Sequence, residues 1–177
     1  MGKFFRNPWL YWRRALDIAR ELGLRNGPKR KVFDVGCGIP FFGRVCLDYD
    51  HSVIGLDVPE TAREEAARIL SIPYYSLALS PGCELPDGIR GFDLITLMGV
   101  NFKHAPTEWW SEEEHWNILL MLWGRLRTSG ALVIRPNKTQ ATAFLLDRTW
   151  WAERFSARDE SIRVDPFCVR VIKMAGK

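Results

Sequence analysis

The sequence contains no apolar run of the ~18–20 residues that a membrane-spanning helix needs. Its opening residues, MGKFFRNPWLYWRR, lack the apolar core and small-residue cleavage site of a secretory signal. Arg6 stands where a myristoylation signal carries Ser or Thr. Cysteine is sparse: Cys37, Cys46, Cys83 and Cys168 are scattered without C-x-x-C spacing, which argues against zinc and against a disulfide framework. No metal and no membrane partner are therefore expected, and the cytoplasm is the expected compartment. Charge of one sign is not concentrated anywhere. The 25 basic and 21 acidic residues are dispersed, so a net charge of +4 permits a nucleic-acid partner without favouring one. Internal repeats, linkers and low-complexity segments are also missing. One domain over residues 1–177 follows, with an N-terminal lid or helix at 1–30 and a core at 31–177.

What is present is an alternation of two periods. Asn7-Pro8 looks like a cap followed by a first-turn proline, and Trp9, Trp12, Leu16, Ala19 and Leu22 then recur at helical spacing up to Gly23. KVFDVG reads as a strand, followed by a helix from about Pro40. HSVIGLDV is the next strand, PETAREEAARIL the next helix, and YYSLAL a short third strand. FDLITLMGV is apolar almost throughout, as a strand covered on both faces should be. Ser111 and Glu114 form a capping box ahead of a helical face of Trp116, Leu119, Leu120, Trp123 and Leu126. Gly130 precedes the strand ALVIRP, a helix is expected within TQATAFLLDRTWWAERF, and SIRVD with CVRVIKM reads as a closing hairpin. Strands alternating with helices predict an α/β fold: a parallel sheet with helices on both faces, closed by an antiparallel element.

Asp34-Val-Gly36-Cys37-Gly38 is the segment with chemical content. Two glycines where the chain leaves a strand let a ligand lie against backbone, and the following helix offers N–H groups and partial positive charge. Asp57 ends the next strand, where a carboxylate accepts hydrogen bonds from ribose hydroxyls. A nucleoside-containing ligand is expected there. The dinucleotide fingerprint needs a third glycine at position 41, where Phe41 stands, and the G-K-[ST] of a phosphate-binding loop is absent. Asp34 would repel a pyrophosphate and suits the ammonium of an amino acid.

These residues resemble the first motif of the class I S-adenosylmethionine-dependent methyltransferases, with Pro40 in place of its last glycine. VIGLDV, ELPDGIRGFDLITLMGV, LRTSGALVIRPN and the terminal hairpin are similar to the later elements of that family, in the same order. The resemblance covers nearly everything after Arg30. It implies a Rossmann-like three-layer sandwich with a mostly parallel seven-stranded sheet and a C-terminal antiparallel hairpin. It also implies S-adenosyl-L-methionine as cofactor and S-adenosyl-L-homocysteine as product. Asp34, Gly36, Cys37, Gly38, Asp57, Val58, Ser80 and Met98 would be its contacts. The aspartate that often precedes the LP segment is missing, which leaves Ser80 or backbone groups for the adenine.

On the acceptor side, the family places residues just after the fourth strand. His104 in GVNFKHAP is the candidate proton acceptor, with Asn101, Lys103 and Trp109 as candidate substrate contacts. MGVN is not the [DN]-P-P-[YFW] signature of adenine or glutamine N-methylation. Trp110 and Trp116 stand near the same capping box, while Trp116 and Trp123 also fit the buried helical face. Phe4, Phe5, Trp9 and Tyr11 are candidate lid residues, and Asp93 at the strand's start is expected to be structural. Methyl transfer to a small polar acceptor, most simply at oxygen, is the leading expectation for a monomer or homodimer. RNA or protein methylation, a non-catalytic cofactor-binding module and a nicotinamide-dependent enzyme remain as alternatives.

Overall fold

The computed structural model describes residues 7–100, 102–105, 108–137, 140–155, 161–165 and 168–173. Asn101, Phe4 and Phe5 lie outside them. The chain divides into two compact units, Met1–Ala78 and Leu79–Lys177.

In the first unit, helix α1 (Pro8–Glu21) starts where expected: the Asn7 side chain accepts from Leu10 N–H at 3.2 Å and Pro8 takes the first turn. Its Ala15 and Ala19 are buried, and Trp12 meets Phe41 edge-on at 6.1 Å. Trp9 is 71% exposed, while Tyr11 is half-buried with the Arg14 guanidinium over its ring. Strand β1 (Lys31–Val35) pairs in parallel with β2 (Ser52–Asp57), which pairs in parallel with β3 (Tyr74–Ser76). Helices α2 (Phe41–Asp48) and α3 (Thr61–Ile69) follow β1 and β2. Pro40 caps α2 rather than opening its first turn. The buried His51 ties the base of this unit together. Arg30 N–H donates to its Nδ1 at 3.0 Å, which makes Nε2 the protonated nitrogen that donates to Leu24 C=O at 2.8 Å.

In the second unit, β4 (Phe92–Met98) pairs in parallel with β7 (Leu126–Arg135). Strand β9 (Cys168–Ile172) pairs antiparallel with β7, and β8 (Ser161–Asp165) antiparallel with β9. Phe92, Leu94, Ile95, Thr96 and Leu97 are buried, which explains the nearly continuous apolar run. The seven strands take the order β3-β2-β1-β4-β7-β9-β8. This is the mostly parallel α/β sheet with an antiparallel C-terminal pair. Helices α4 (Glu112–Gly124) and α5 (Arg148–Phe155) and a 3-10 helix (Gln140–Leu146) complete the unit.

Two local expectations need correction, and one element has no counterpart among the expected ones. After β4, strands β5 (Lys103–Ala105) and β6 (Glu108–Trp109) form a separate antiparallel ribbon. Strand β7 begins at Leu126, not after Gly130. Ser129 has φ +65° and the β4 register jumps from Phe92↔Leu126 to Leu94↔Ala131, so extra residues bulge out of β7. Gly130 sits inside that bulge because a Cβ there would lie 2.8 Å from Phe92 O and 2.9 Å from Arg127 O. The buried face of α4 is His115, Ile118, Leu119, Leu122 and Trp123, with Trp116 and Leu120 half-buried and Leu126 in the next strand. Scoring histidine as polar rotates the predicted face; His115 is buried because its Nδ1–H has a backbone partner. Among the described residues, no helix is long and apolar enough to cross a membrane. Nor is any cluster of His, Cys, Asp and Glu arranged to hold a metal ion.

Candidate functional site

Six of the expected cofactor contacts, Asp34, Gly36, Cys37, Gly38, Asp57 and Val58, belong to the first unit, at the carboxyl ends of β1 and β2. The loop leaves β1 through Gly36 (φ +71°) and Gly38 (φ +58°), conformations that a Cβ resists. Gly36 N–H and Cys37 N–H both reach Leu56 C=O, at 2.7 and 3.2 Å, so the loop is strapped to β2. Gly38 N–H donates to Asp57 Oδ2 at 2.6 Å, and Val58 N–H to Asp57 Oδ1 at 2.7 Å. Asp57 is therefore a buried carboxylate that shapes the glycine loop as well as facing it.

A third donor on Asp57 was not foreseen. Arg63, in the first turn of α3, pairs with Asp57 Oδ1, while its Nε contacts Glu60 at 2.7 Å. A carboxylate offers about four acceptor positions, so three are occupied and one stays open on Oδ2. The residues fit a ribose: one hydroxyl can be received as the side chains stand, and a second if Arg63 withdraws to Glu60. The sequence signal for Arg63 was an arginine in the helical turn after the carboxylate, with no spacing rule that singles it out.

The loop's thiol is inert by construction. Burial, then the Asp34 and Asp57 carboxylates, push the Cys37 pKa far up, so it stays a thiol. Gly55 makes room for it, since a Cβ there would lie 3.0 Å from Sγ. Tyr74 on β3 is likewise held protonated, by burial first and then by the Asp57 carboxylate, and its hydroxyl lies 3.4 Å from Val58 O.

Ser80 and Met98 belong to the second unit. Ser80 is exposed in a tight turn, with Cys83 N–H on its carbonyl at 3.0 Å. Met98 ends β4, followed by Gly99, whose N–H bonds Arg135 C=O at 2.8 Å and whose C=O accepts from Asn137 Nδ2 at 2.8 Å. Past β4, Lys103 and Trp109 face each other across the ribbon, with the ammonium 4.0 Å above the indole. His104 Nε2 is held by Glu114 Oε1 at 2.9 Å. Glu114 Oε2 accepts from Ser111 N–H (2.7 Å), and that bond leads the causes that lower the Glu114 pKa. His115 was not nominated from the sequence. Its Nδ1 lies 2.7 Å from Ser111 C=O, so Nδ1 carries the proton and Nε2 the lone pair.

No family model matches the chain, and no curated protein matches it in sequence. Its likeness to solved structures is one of shape. A TehB-like SAM-dependent methyltransferase from Corynebacterium glutamicum superposes with a TM-score of 0.64 at 17% identity, covering 96% of this chain and 97% of that one. The fold is the S-adenosylmethionine-dependent methyltransferase fold. A 1,6-didemethyltoxoflavin-N1-methyltransferase from Burkholderia thailandensis, solved with bound 1,6-didemethyltoxoflavin and S-adenosylhomocysteine, shares this fold. It gives a TM-score of 0.60 at 18% identity over 96% of this chain and 82% of that one. An O-methyltransferase family protein from the same organism gives 0.60 at 16% over 93% of this chain. The chain spans only 57% of that protein and 56% of a second O-methyltransferase.

Proposed function

We propose that the chain is an S-adenosylmethionine-dependent methyltransferase, one catalytic domain acting in the cytoplasm on a small polar acceptor, with transfer to oxygen. The observation that carries this reading is the Gly36–Gly38 loop closed onto a buried Asp57 at the end of β2, within a methyltransferase fold. Asp57 and Val58 are assigned to the ribose, Gly36, Cys37 and Gly38 to the backbone surface under the nucleoside, and Asp34 to the amino-acid ammonium. Ser80 and Met98 are assigned to the adenine side. The segment after β4, with Asn101, Lys103, His104 and Trp109, is assigned to the acceptor.

A bound sulfonium supplies an electrophilic methyl carbon. The chain then has to hold the acceptor in line and exclude water, and such alignment supplies roughly 7–11 kcal/mol of the barrier in well-oriented systems. The test is calorimetric titration with S-adenosylmethionine, S-adenosylhomocysteine and NAD. Micromolar binding of the first two is expected, with loss in Asp57→Asn at a retained fold. Binding of NAD alone, or of none of the three by folded protein, overturns the reading.

A further inference from the structure

The even spread of charge expected over the chain fails at its start. Residues 1–30 carry eight basic and two acidic residues, a larger surplus than the +4 of the whole chain, and the first acid is Asp17. Helix α1 turns part of that stretch into a fixed surface. On one side Ala15 and Ala19 are buried and Trp12 meets Phe41, so that this face packs on α2. The opposite side is uncovered. Trp9, a candidate lid residue, is 71% exposed, and Leu10 beside it is 40% exposed. Arg13 and Arg14 follow one turn on, each four residues from one of the apolar pair and so on the same face. Both are exposed, and among the described residues no salt bridge holds either; Arg14 lies 5.6 Å over the Tyr11 ring. Further along, Asp17 pairs with Arg20 at 3.1 Å, so the second half of the helix adds no net positive charge.

We propose that the start of α1 docks on a bilayer surface carrying anionic lipid headgroups, with Trp9 and Leu10 in the interfacial zone and Arg13 and Arg14 at the phosphates. Charge complementarity calls for an anionic partner, and the guanidinium fork matches phosphate oxygens. Leu10 decides between anionic partners. It has neither a polar atom nor a ring, so a nucleic-acid strand gains nothing from it, whereas the boundary between headgroups and acyl chains favours both Leu and Trp. The spacing agrees. With the helix start leading, Arg13 stands about 6 Å behind Trp9 at 1.5 Å per residue, within the ~5–10 Å to which such apolar groups sink. Both apolar side chains stand clear already, so docking needs no rearrangement of the unit. No described helix is long and apolar enough to cross a bilayer, which excludes spanning and leaves surface contact open. The docking does not depend on what the glycine loop binds.

The test is co-sedimentation of the full chain with vesicles of phosphatidylcholine alone and of phosphatidylcholine mixed with phosphatidylserine. Binding to the mixed vesicles only is expected, and it should weaken as salt is raised. Arg13→Gln and Arg14→Gln should each weaken it about fivefold. Trp9→Ser should weaken it about tenfold and remove most of the quenching of tryptophan fluorescence by acyl-brominated lipid. All three side chains are exposed, so the variants keep the fold, which thermal unfolding checks. Equal binding to both kinds of vesicle, no binding to either, or unchanged binding by Trp9→Ser overturns the proposal. Polyuridylate that binds the chain and displaces it from the mixed vesicles also overturns it, because the surface would then be a nucleic-acid site.

Discussion

Arg63→Gln removes the guanidinium from Asp57 Oδ1 and leaves the glycine loop's own bonds in place. Gly38 N–H sits on Oδ2, and Val58 N–H shares Oδ1 with Arg63. With about two acceptor positions per oxygen, Oδ1 is full and Oδ2 keeps one. A ribose diol brings two hydroxyls, so the second is received only when Arg63 moves to Glu60, which it already contacts at 2.7 Å. A hydrogen bond to a charged group contributes roughly 1.5–3 kcal/mol. The Arg63 side chain is 24% exposed, so solvent screening puts the contact near the lower figure. Since 1.4 kcal/mol is a factor of ten, the variant should bind S-adenosylhomocysteine about tenfold tighter. It should also lose about 1 kcal/mol of stability, roughly 2–4 °C in Tm for a chain of this size. Calorimetry and thermal unfolding measure the two effects, and adenine, which has no ribose, should bind both proteins alike. Unchanged or weaker binding by a folded variant refutes the competition: Arg63 would then be orienting the carboxylate.

Three further outcomes are expected. Cys37 should alkylate far more slowly at pH 8 than a free thiol, because burial and two carboxylates keep it protonated; fast modification in the folded protein would mean an open loop. Trp151 is fully buried and its Nε1–H donates to Leu145 C=O at 2.9 Å, so Trp151→Ala should lose about 3–5 kcal/mol, read as a Tm drop on the order of 10 °C. Stability should fall as pH drops below 6.5. Burial lowers the His115 pKa, so below that value the unfolded chain binds a proton that the folded chain refuses. Glu112 and Glu114 on α4, His104 on β5 and Arg154 on α5 are the charged or titratable groups nearby, and Glu114 titrates below 4.5, outside this window. The slope should vanish in His115→Phe, and its persistence there would assign it to another group.

The sheet was legible because its signals are local. The apolar run at 92–98, the capping box at Ser111 and Glu114, and the Asn7-Pro8 entry each act within a few residues, and each appears where its physics puts it. The misplaced features depend on partners distant in sequence. Gly130 looks like punctuation before a strand, but it lies inside β7 because Phe92 C=O, on another strand, fills the space of a side chain. The β5–β6 ribbon has three- and two-residue strands, too short for alternation to register.

The same distinction separates the glycine loop of the first unit from the histidines of the second. A nucleoside loop needs glycine where a ligand meets backbone and a carboxylate one strand later, and both are constraints on residue type at fixed spacing. Asp34, Gly36, Gly38 and Asp57 could be nominated for that reason. Which lone pair a histidine leaves unclaimed is decided only after folding. The sequence singles out His104 for its place after the fourth strand and gives no reason to consider His115. In the folded chain Glu114 takes the Nε2 of one, while Ser111 C=O takes the Nδ1 proton of the other and leaves its Nε2 facing rings. The two imidazoles also differ in burial, His115 being 2% exposed while the His104 side chain is 35% exposed. Which imidazole nitrogen keeps a lone pair is therefore a property of side-chain pairing, set by Glu114 for His104 and by Ser111 C=O for His115, and neither pairing can be read from the residues next to them in sequence.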